Sequence, residues 1–179
     1  MPTALYRFIL AALLLLPFGA HAGDAEDFLA ANPTQQAKLL QDWAAQPDPA
    51  RIELVDALQQ GQLTVNGETK TVRLNNRLRG LIDNVQASQQ LLAADPKVRL
   101  AAAQTLQKTA QPAQLKFLDQ RVAAETVEDV HTALSLALAN LQLVDADPAV
   151  RLAAVRLLGS TGDPLARTRL ETLLAPGVE

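Results

Sequence analysis

The sequence predicts an all-α fold of stacked helical repeats, an α-solenoid, with one small β-hairpin inserted in it. When the chain is shifted by 52 residues, residues 94–112 and 146–164 match at eleven positions. Self-similarity at a fixed offset is typical of repeat architectures. Of the 179 residues, 49% are hydrophobic but only 3% are aromatic. A core built mostly from Ala and Leu favours closely packed helices over a β-sandwich or barrel.

Each copy of the repeat begins with an Asp-Pro pair. Asp95 and Asp147 stand where a side chain can accept a hydrogen bond from the first helical turn, and the following proline suits the first helical position. Arg99 and Arg151 come four residues after each aspartate, and we expect each arginine to form a weak surface pair with it. Spacings of three and four predict one apolar stripe in each copy: Val98, Ala101, Ala102 and Leu106, then Val150, Ala153, Ala154 and Leu158.

Residues 1–22 have the pattern of a secretory signal peptide. Arg7 supplies a positive start, residues 8–16 are apolar, and Ala20-His21-Ala22 is a suitable cleavage site. The apolar segment is shorter than the roughly 20 residues that span a bilayer. We therefore predict export, to the periplasm in a Gram-negative host, and no membrane span in the mature chain. An uncleaved membrane anchor is the alternative interpretation.

Residues 23–62 are predicted to form the N-terminal helices. The first ends near Asn32-Pro33, the second carries Trp43 in an apolar stripe, and the third follows the break at Pro47-Asp48-Pro49. Gly61 is expected to end the third helix in a left-handed conformation. Core packing is the role we predict for Trp43, which is the single tryptophan.

Residues 63–74 change to the alternating pattern of a β-hairpin. Asn66-Gly67 favours a type I′ turn, because both residues tolerate positive φ angles. Apolar side chains alternate with polar ones on either side of the turn, which predicts that one face packs against the helices: Leu63, Val65, Val72 and Leu74. The hairpin is interpreted either as a contact element or as a flap that covers the first helices.

Residues 75–179 are predicted to form the helical repeats, and the most basic stretch of the chain leads into them. The two asparagines of this stretch are typical helix caps. Its arginines indicate either an ordinary solvated surface or a contact with an acidic partner. We take five residues as the candidate partner-binding set: Arg73, Asn75, Asn76, Arg77 and Arg79.

No catalytic constellation is visible in the sequence. The chain has no cysteine, and His131 is the single histidine left once the leader is removed. Glu125, near Glu128 and Asp129, is interpreted as part of an acidic helix start that complements the helix dipole. With a net charge of −3 and no long basic run, the chain lacks the footprint of a nucleic-acid-binding protein. We therefore expect no enzyme, cofactor or metal.

Two resemblances extend this interpretation. The segment D-P-A-V-R-L-A-A at 147–154, followed by G-D-P at 162–164, resembles the short HEAT-like repeat, in which these motifs mark two antiparallel helices. Over its full length, with R-L-N-N-R-L-R at 73–79, the chain is similar to the N-terminal extracytoplasmic region of the urea ABC-transporter permease subunit of the branched-chain amino-acid permease type.

That second resemblance implies a non-enzymatic role in urea import. The partners it implies are the soluble urea-binding protein and the permease core. The membrane-spanning permease domain of that family does not occur in these residues, so the chain is expected to be either part of a permease or a stand-alone periplasmic scaffold unrelated to transport. A HEAT-like bilin lyase is a third alternative, and the secretory leader argues against it.

Overall fold

The computed structural model describes residues 22–162 and 164–173. The predicted leader, apart from Ala22, and residues 174–179 lie outside this part. The elements follow in this order: α1 Ala22–Ala30, α2 Pro33–Ala45, a short 3-10 turn Pro49–Arg51, α3 Ile52–Gln59, β1 Gln62–Val65, β2 Glu68–Thr71, α4 Asn76–Gln90, α5 Pro96–Thr109, a second 3-10 turn Pro112–Gln114, α6 Leu115–Ala124, α7 Glu128–Gln142, α8 Pro148–Ser160 and α9 Pro164–Leu173.

The described residues are therefore mostly helical, and the two strands pair with each other as a separate small sheet. The predicted all-α class is confirmed at this level. Within the described ranges, no helix combines the length and the apolar character needed to cross a bilayer.

Polar side chains start the helices as the sequence predicts. Asp95 and Asp147 each accept a hydrogen bond from the N–H two residues further on, at 2.8 Å in both cases. Asn75 caps α4 by accepting from the N–H three residues on, at 2.9 Å. Each cap satisfies one N–H that the first helical turn leaves without a partner. The predicted cap at Asp163 lies outside the described residues.

The offset of 52 residues extends over a whole three-helix unit. Helices α4 and α7 both have 15 residues, and their first residues, 76 and 128, differ by this offset. The same shift relates the starts of α5 and α8, and the prolines Pro112 and Pro164 that precede α6 and begin α9. The sequence match covers only the middle of this unit. The structure shows that the long helix before it belongs to the same unit. The described chain thus contains two copies of one unit, α4–α6 and α7–α9.

The hairpin is shorter than predicted. Its turn has φ angles of 53° at Asn66 and 80° at Gly67, as a type I′ turn requires. The predicted limit of residue 74 is wrong, because β2 ends at Thr71 and all four of its side chains are exposed. Val72, next along the chain, donates its N–H to the carbonyl of Gly61 at 2.8 Å. Its side chain is buried in the N-terminal core, so it anchors the hairpin from outside the strand.

The apolar side chains of the described part form three clusters along the chain. The first joins α1–α3, the hairpin and α4, the second lies between α4, α5, α6 and α7, and the third between α7, α8 and α9. Trp43 belongs to the first cluster, with 5% of its surface exposed. Its ring lies 6.0 Å from that of Phe28, and the guanidinium of Arg51 lies 5.7 Å from its centre. The predicted core role of Trp43 is confirmed.

The predicted stripe on α5 is wrong at two positions. Ala102 and Leu106 are fully buried, but Val98 and Ala101 are exposed, and Ala103 is buried instead. Helix α5 contacts both α4 and α7, so the residues that point between these two helices are covered. In α8, Ala154 and Leu158 are buried, whereas the predicted Ala153 is exposed.

Candidate functional site

The predicted partner-binding residues lie where the hairpin passes into α4. Arg73 is in the link that follows β2, and Asn76, Arg77 and Arg79 are in the first turn of α4; all four side chains are exposed. Within the described ranges, none of the three arginines has an ion pair or a side-chain hydrogen bond. Asn75 differs from them, because its side chain caps the helix. The basic stretch therefore offers three uncommitted guanidinium groups.

Arg99, unlike these three arginines, bonds to other segments of the fold through its side chain. Its Nη1 donates to the carbonyls of Ala93 and Ala94, at 2.9 and 2.8 Å. Its Nε and Nη2 donate to the two carboxylate oxygens of Glu125, at 2.8 and 3.0 Å. The expected surface pair with Asp95 is wrong, because the planar fork of a guanidinium matches a carboxylate in two-point contact, and Glu125 provides that contact.

Glu125 is the residue that the sequence interpretation misplaced. It lies in the link between α6 and α7, its side chain is only 2% exposed, and it also accepts from the backbone N–H groups of Thr126 and Val127, at 3.1 and 3.0 Å. The hydrogen bond from Arg99 lowers the pKa of Glu125 to about 2, against burial, which raises it. The pair is separated by 26 positions, and no local sequence signal indicates it.

Arg151 repeats only half of this arrangement. Its Nη1 donates to the carbonyls of Asp145 and Ala146, at 2.6 and 3.0 Å, the same two positions after a shift of 52. No carboxylate among the described residues pairs with it. The expected surface pair with Asp147 is therefore wrong here too. In both units the arginine holds the loop before its helix.

A cleft of about 270 Å³ lies between α5, α7, α8 and α9, with Lys108, Asn140, Ala166 and Arg169 among its lining residues. Asn140 donates its Nδ2 to the carbonyl of Gln107 at 3.1 Å, while its Oδ1 is buried without a hydrogen-bond partner.

The first unit has a larger side chain at one of the positions that line the cleft in the second. At the position equivalent to Ala166 it has Gln114, which is fully buried and donates its Nε2 to the hydroxyl of Ser88 at 2.7 Å. Ser88 is in turn the equivalent of Asn140. The second unit thus has a methyl group where the first has a glutamine side chain, and the Oδ1 of Asn140 has no hydrogen-bond donor among the described residues.

In the part of the chain that the structure describes, no three His, Cys, Asp or Glu side chains come together as a metal site would require. Searches with the whole chain find no matching family model, no similar curated protein and no similar solved structure. The resemblance to the urea permease region therefore stays a prediction.

Proposed function

We propose that this chain is a non-enzymatic, HEAT-like helical-repeat domain that works in the periplasm and docks proteins of a urea-type ABC importer. The resemblance of the full chain to the N-terminal region of the urea permease subunit supports the transport role. One structural observation supports docking: Arg73, Arg77 and Arg79 are exposed, and none of their side chains bonds to another residue that the structure describes.

The contrast with three half-buried arginines gives this observation its weight. Arg51 pairs with Asp24 at 2.7 Å, Arg99 with Glu125, and Arg151 with two loop carbonyls. Each of these side chains ties two segments of the chain together. No bond to a described residue constrains the arginines of the basic stretch in this way. They can therefore be replaced with little effect on stability, since exposed unpaired charges contribute little to it.

The stretch is nevertheless held in place at both ends. Val72 is buried and its N–H is bonded to Gly61, and Asn75 caps α4 two residues before Arg77. Leu78, between Arg77 and Arg79, is 2% exposed and fixes the first turn of α4 in the core. A positive patch on a fixed backbone loses little freedom on binding. In a chain of net charge −3, it selects an acidic surface and accelerates encounter with it.

The test measures binding of the chain, expressed with its leader and purified from the periplasm of a bacterial host, to the soluble urea-binding protein. We expect binding that weakens as salt rises, since exposed charges are screened. The triple variant Arg73→Gln, Arg77→Gln, Arg79→Gln should lower the association rate by about tenfold or more. Biolayer interferometry at low and high salt provides both measurements.

A matched control removes the same charge elsewhere. Lys97→Gln, Lys116→Gln and Arg167→Gln alter three exposed cations on α5, α6 and α9, and this variant should bind as the wild type does. An equal loss in both triple variants would contradict the specific role of the basic stretch. Absence of binding to both the urea-binding protein and the permease core would contradict the transport role.

A further inference from the structure

Helix α8 carries an apolar face that the described residues leave uncovered. Leu152 is 49% exposed and Val155 is 37% exposed. Three positions apart on a helix, the two side chains lie on the same side, and the half-buried Arg151 adjoins them. Single exposed apolar residues are ordinary, but adjacent ones on one face indicate a contact surface. We call Arg151, Leu152 and Val155 the α8 face.

The same face in the first unit is covered by a helix. The equivalents of Leu152 and Val155 are Leu100, which is partly buried, and Ala103, which is fully buried, and both belong to the cluster that includes α7. The next residue along this face, Gln107, is bonded to α7 twice. Its side-chain Nε2 donates to the carbonyl of Ala133, and its backbone carbonyl accepts from Nδ2 of Asn140, both at 3.1 Å. Helix α7 therefore lies on the face of α5 that corresponds to the α8 face.

The arginine gives a second, independent comparison. Arg99 receives a carboxylate from Glu125, three residues before α7 begins. Thus the loop that leads into the covering helix also neutralises the arginine beside the apolar face. Arg151 uses Nη1 on two carbonyls, while its Nε and Nη2 bond to no described residue. Arg99 uses the same two donors to bond a carboxylate, so on Arg151 they have no partner among the described residues.

We infer that the α8 face docks an amphipathic helix of a partner protein, one with a stripe of small apolar residues and a carboxylate shortly before its first turn. This inference rests on the proposed docking function and identifies a second surface, separate from the basic stretch. We infer a helix because α7 packs on the equivalent face of α5. We infer a carboxylate because it would pair with the charge of Arg151.

A second copy of this chain is a poor occupant for two reasons. Its α7 is not free, because the stripe of that helix is already buried against α5. If the α8 faces of two copies met antiparallel, with Leu152 against Val155, then Arg151 of one copy would oppose Arg156 of the other, and like charges repel. A parallel pairing would place the two Arg151 side chains together. The charges therefore favour a different protein that supplies an acidic residue.

The probe for this surface is a fluorescein-labelled peptide with the sequence of residues 125–142, which covers the equivalent face in the first unit. Fluorescence anisotropy should show saturable binding to the wild-type chain. The double variant Leu152→Glu, Val155→Glu should reduce the affinity by about tenfold or more. Both side chains are exposed, so this variant keeps its fold, which far-UV circular dichroism verifies. Val144→Glu is the control, because Val144 is 76% exposed but outside the face.

The carboxylate is tested by a double-mutant cycle. Arg151→Gln in the chain and Glu125→Gln in the peptide should each weaken binding, and the two together should weaken it no more than either alone. Peptide binding that survives Leu152→Glu, Val155→Glu would overturn the inference, as would additive effects in the cycle. A wild-type dimer in light scattering that the double variant abolishes would also overturn it, in favour of a second copy. The triple variant of the basic stretch should still bind the peptide, so failure here is distinguishable from failure of the proposed function.

Discussion

Replacing Glu125 by glutamine should destabilise the chain in a way that depends on pH. The substitution keeps the size of the side chain but removes its charge, and it points an amide N–H₂ group at the donors of Arg99. Both oxygens of the carboxylate now accept from Arg99, at 2.8 and 3.0 Å. A neutral amide cannot make that two-point contact. The fold should therefore lose stability wherever the wild-type carboxylate is ionised.

The magnitude follows from the pKa of Glu125, which is about 2 in the fold against an ordinary value of 4.5. At about 1.4 kcal/mol per pKa unit, such a shift corresponds to roughly 3 kcal/mol. The Arg99 side chain is 13% exposed, so water screens part of this contribution. We therefore expect Glu125→Gln to lower the free energy of unfolding by about 1–2 kcal/mol near neutral pH.

The sign of the pH dependence is fixed by the direction of the shift. Between about pH 4.5 and 2, the unfolded chain binds a proton at Glu125 that the folded chain does not, so the contribution is present above this window and is lost as pH falls through it. The difference between wild type and variant should thus be largest above about pH 5, fall to less than half near pH 3, and vanish below about pH 2. Other carboxylates titrate in both proteins and cancel in the difference.

Urea denaturation followed by Trp43 fluorescence measures this difference without adding salt that would screen the pair. The control is Glu128→Gln, which neutralises an exposed carboxylate in the first turn of α7 and should change stability by less than about 0.5 kcal/mol. A difference for Glu125→Gln that stays constant from neutral to acidic pH would refute the reasoning. So would the absence of any difference near neutral pH.

Four further predictions concern the two units and the turn between helix and hairpin. Gln114→Ala should lower the free energy of unfolding by about 2–3 kcal/mol, because a buried hydrogen bond is lost and a cavity forms. Ala166→Gln should raise the free energy of unfolding by up to about 1 kcal/mol in the same urea assay, because the new amide can donate to Asn140. A lower free energy of unfolding would contradict the equivalence of positions 114 and 166. Gly61→Ala should cost about 1 kcal/mol, because φ there is +70°. At Gly80, in α4, an added Cβ would meet open space. Gly80→Ala should therefore raise the free energy of unfolding by about 0.5–1 kcal/mol, measured by thermal unfolding.

Features that depend on a few neighbouring residues could be predicted from the sequence. The caps Asp95 and Asp147 act on N–H groups two residues away, and the turn at Asn66 needs only a positive φ in two successive residues. Gly61 ends its helix for the same local reason, with φ +70°. The preference is contained within one turn of chain in each case, so tertiary packing had little opportunity to override it.

Features that depend on where a helix lies could not be predicted. Residues 98–103 of α5 are apolar at almost every position, so spacing alone did not identify the buried side; α4 and α7 cover Ala102 and Ala103 and leave Val98 exposed. Glu125 was misplaced for a related reason. Its nearest sequence neighbours suggested a helix start, whereas its partner Arg99 is brought to it by the packing of α5 against α7.

The two units share the contacts of the repeated motif but differ in other contacts. In both units the aspartate caps its helix and the arginine four residues later binds two carbonyls of the preceding loop. The motif therefore locks its own loop, and its repetition needs no ligand to explain it. The positions at which the units differ are therefore the better indicators of function. Arg99 pairs with a carboxylate, whereas Arg151 pairs with none that the structure describes. Ala103 is buried, whereas Val155, its equivalent, is exposed. Both differences fall on one face of α8, which is why docking through that face is the inference that the two units support together.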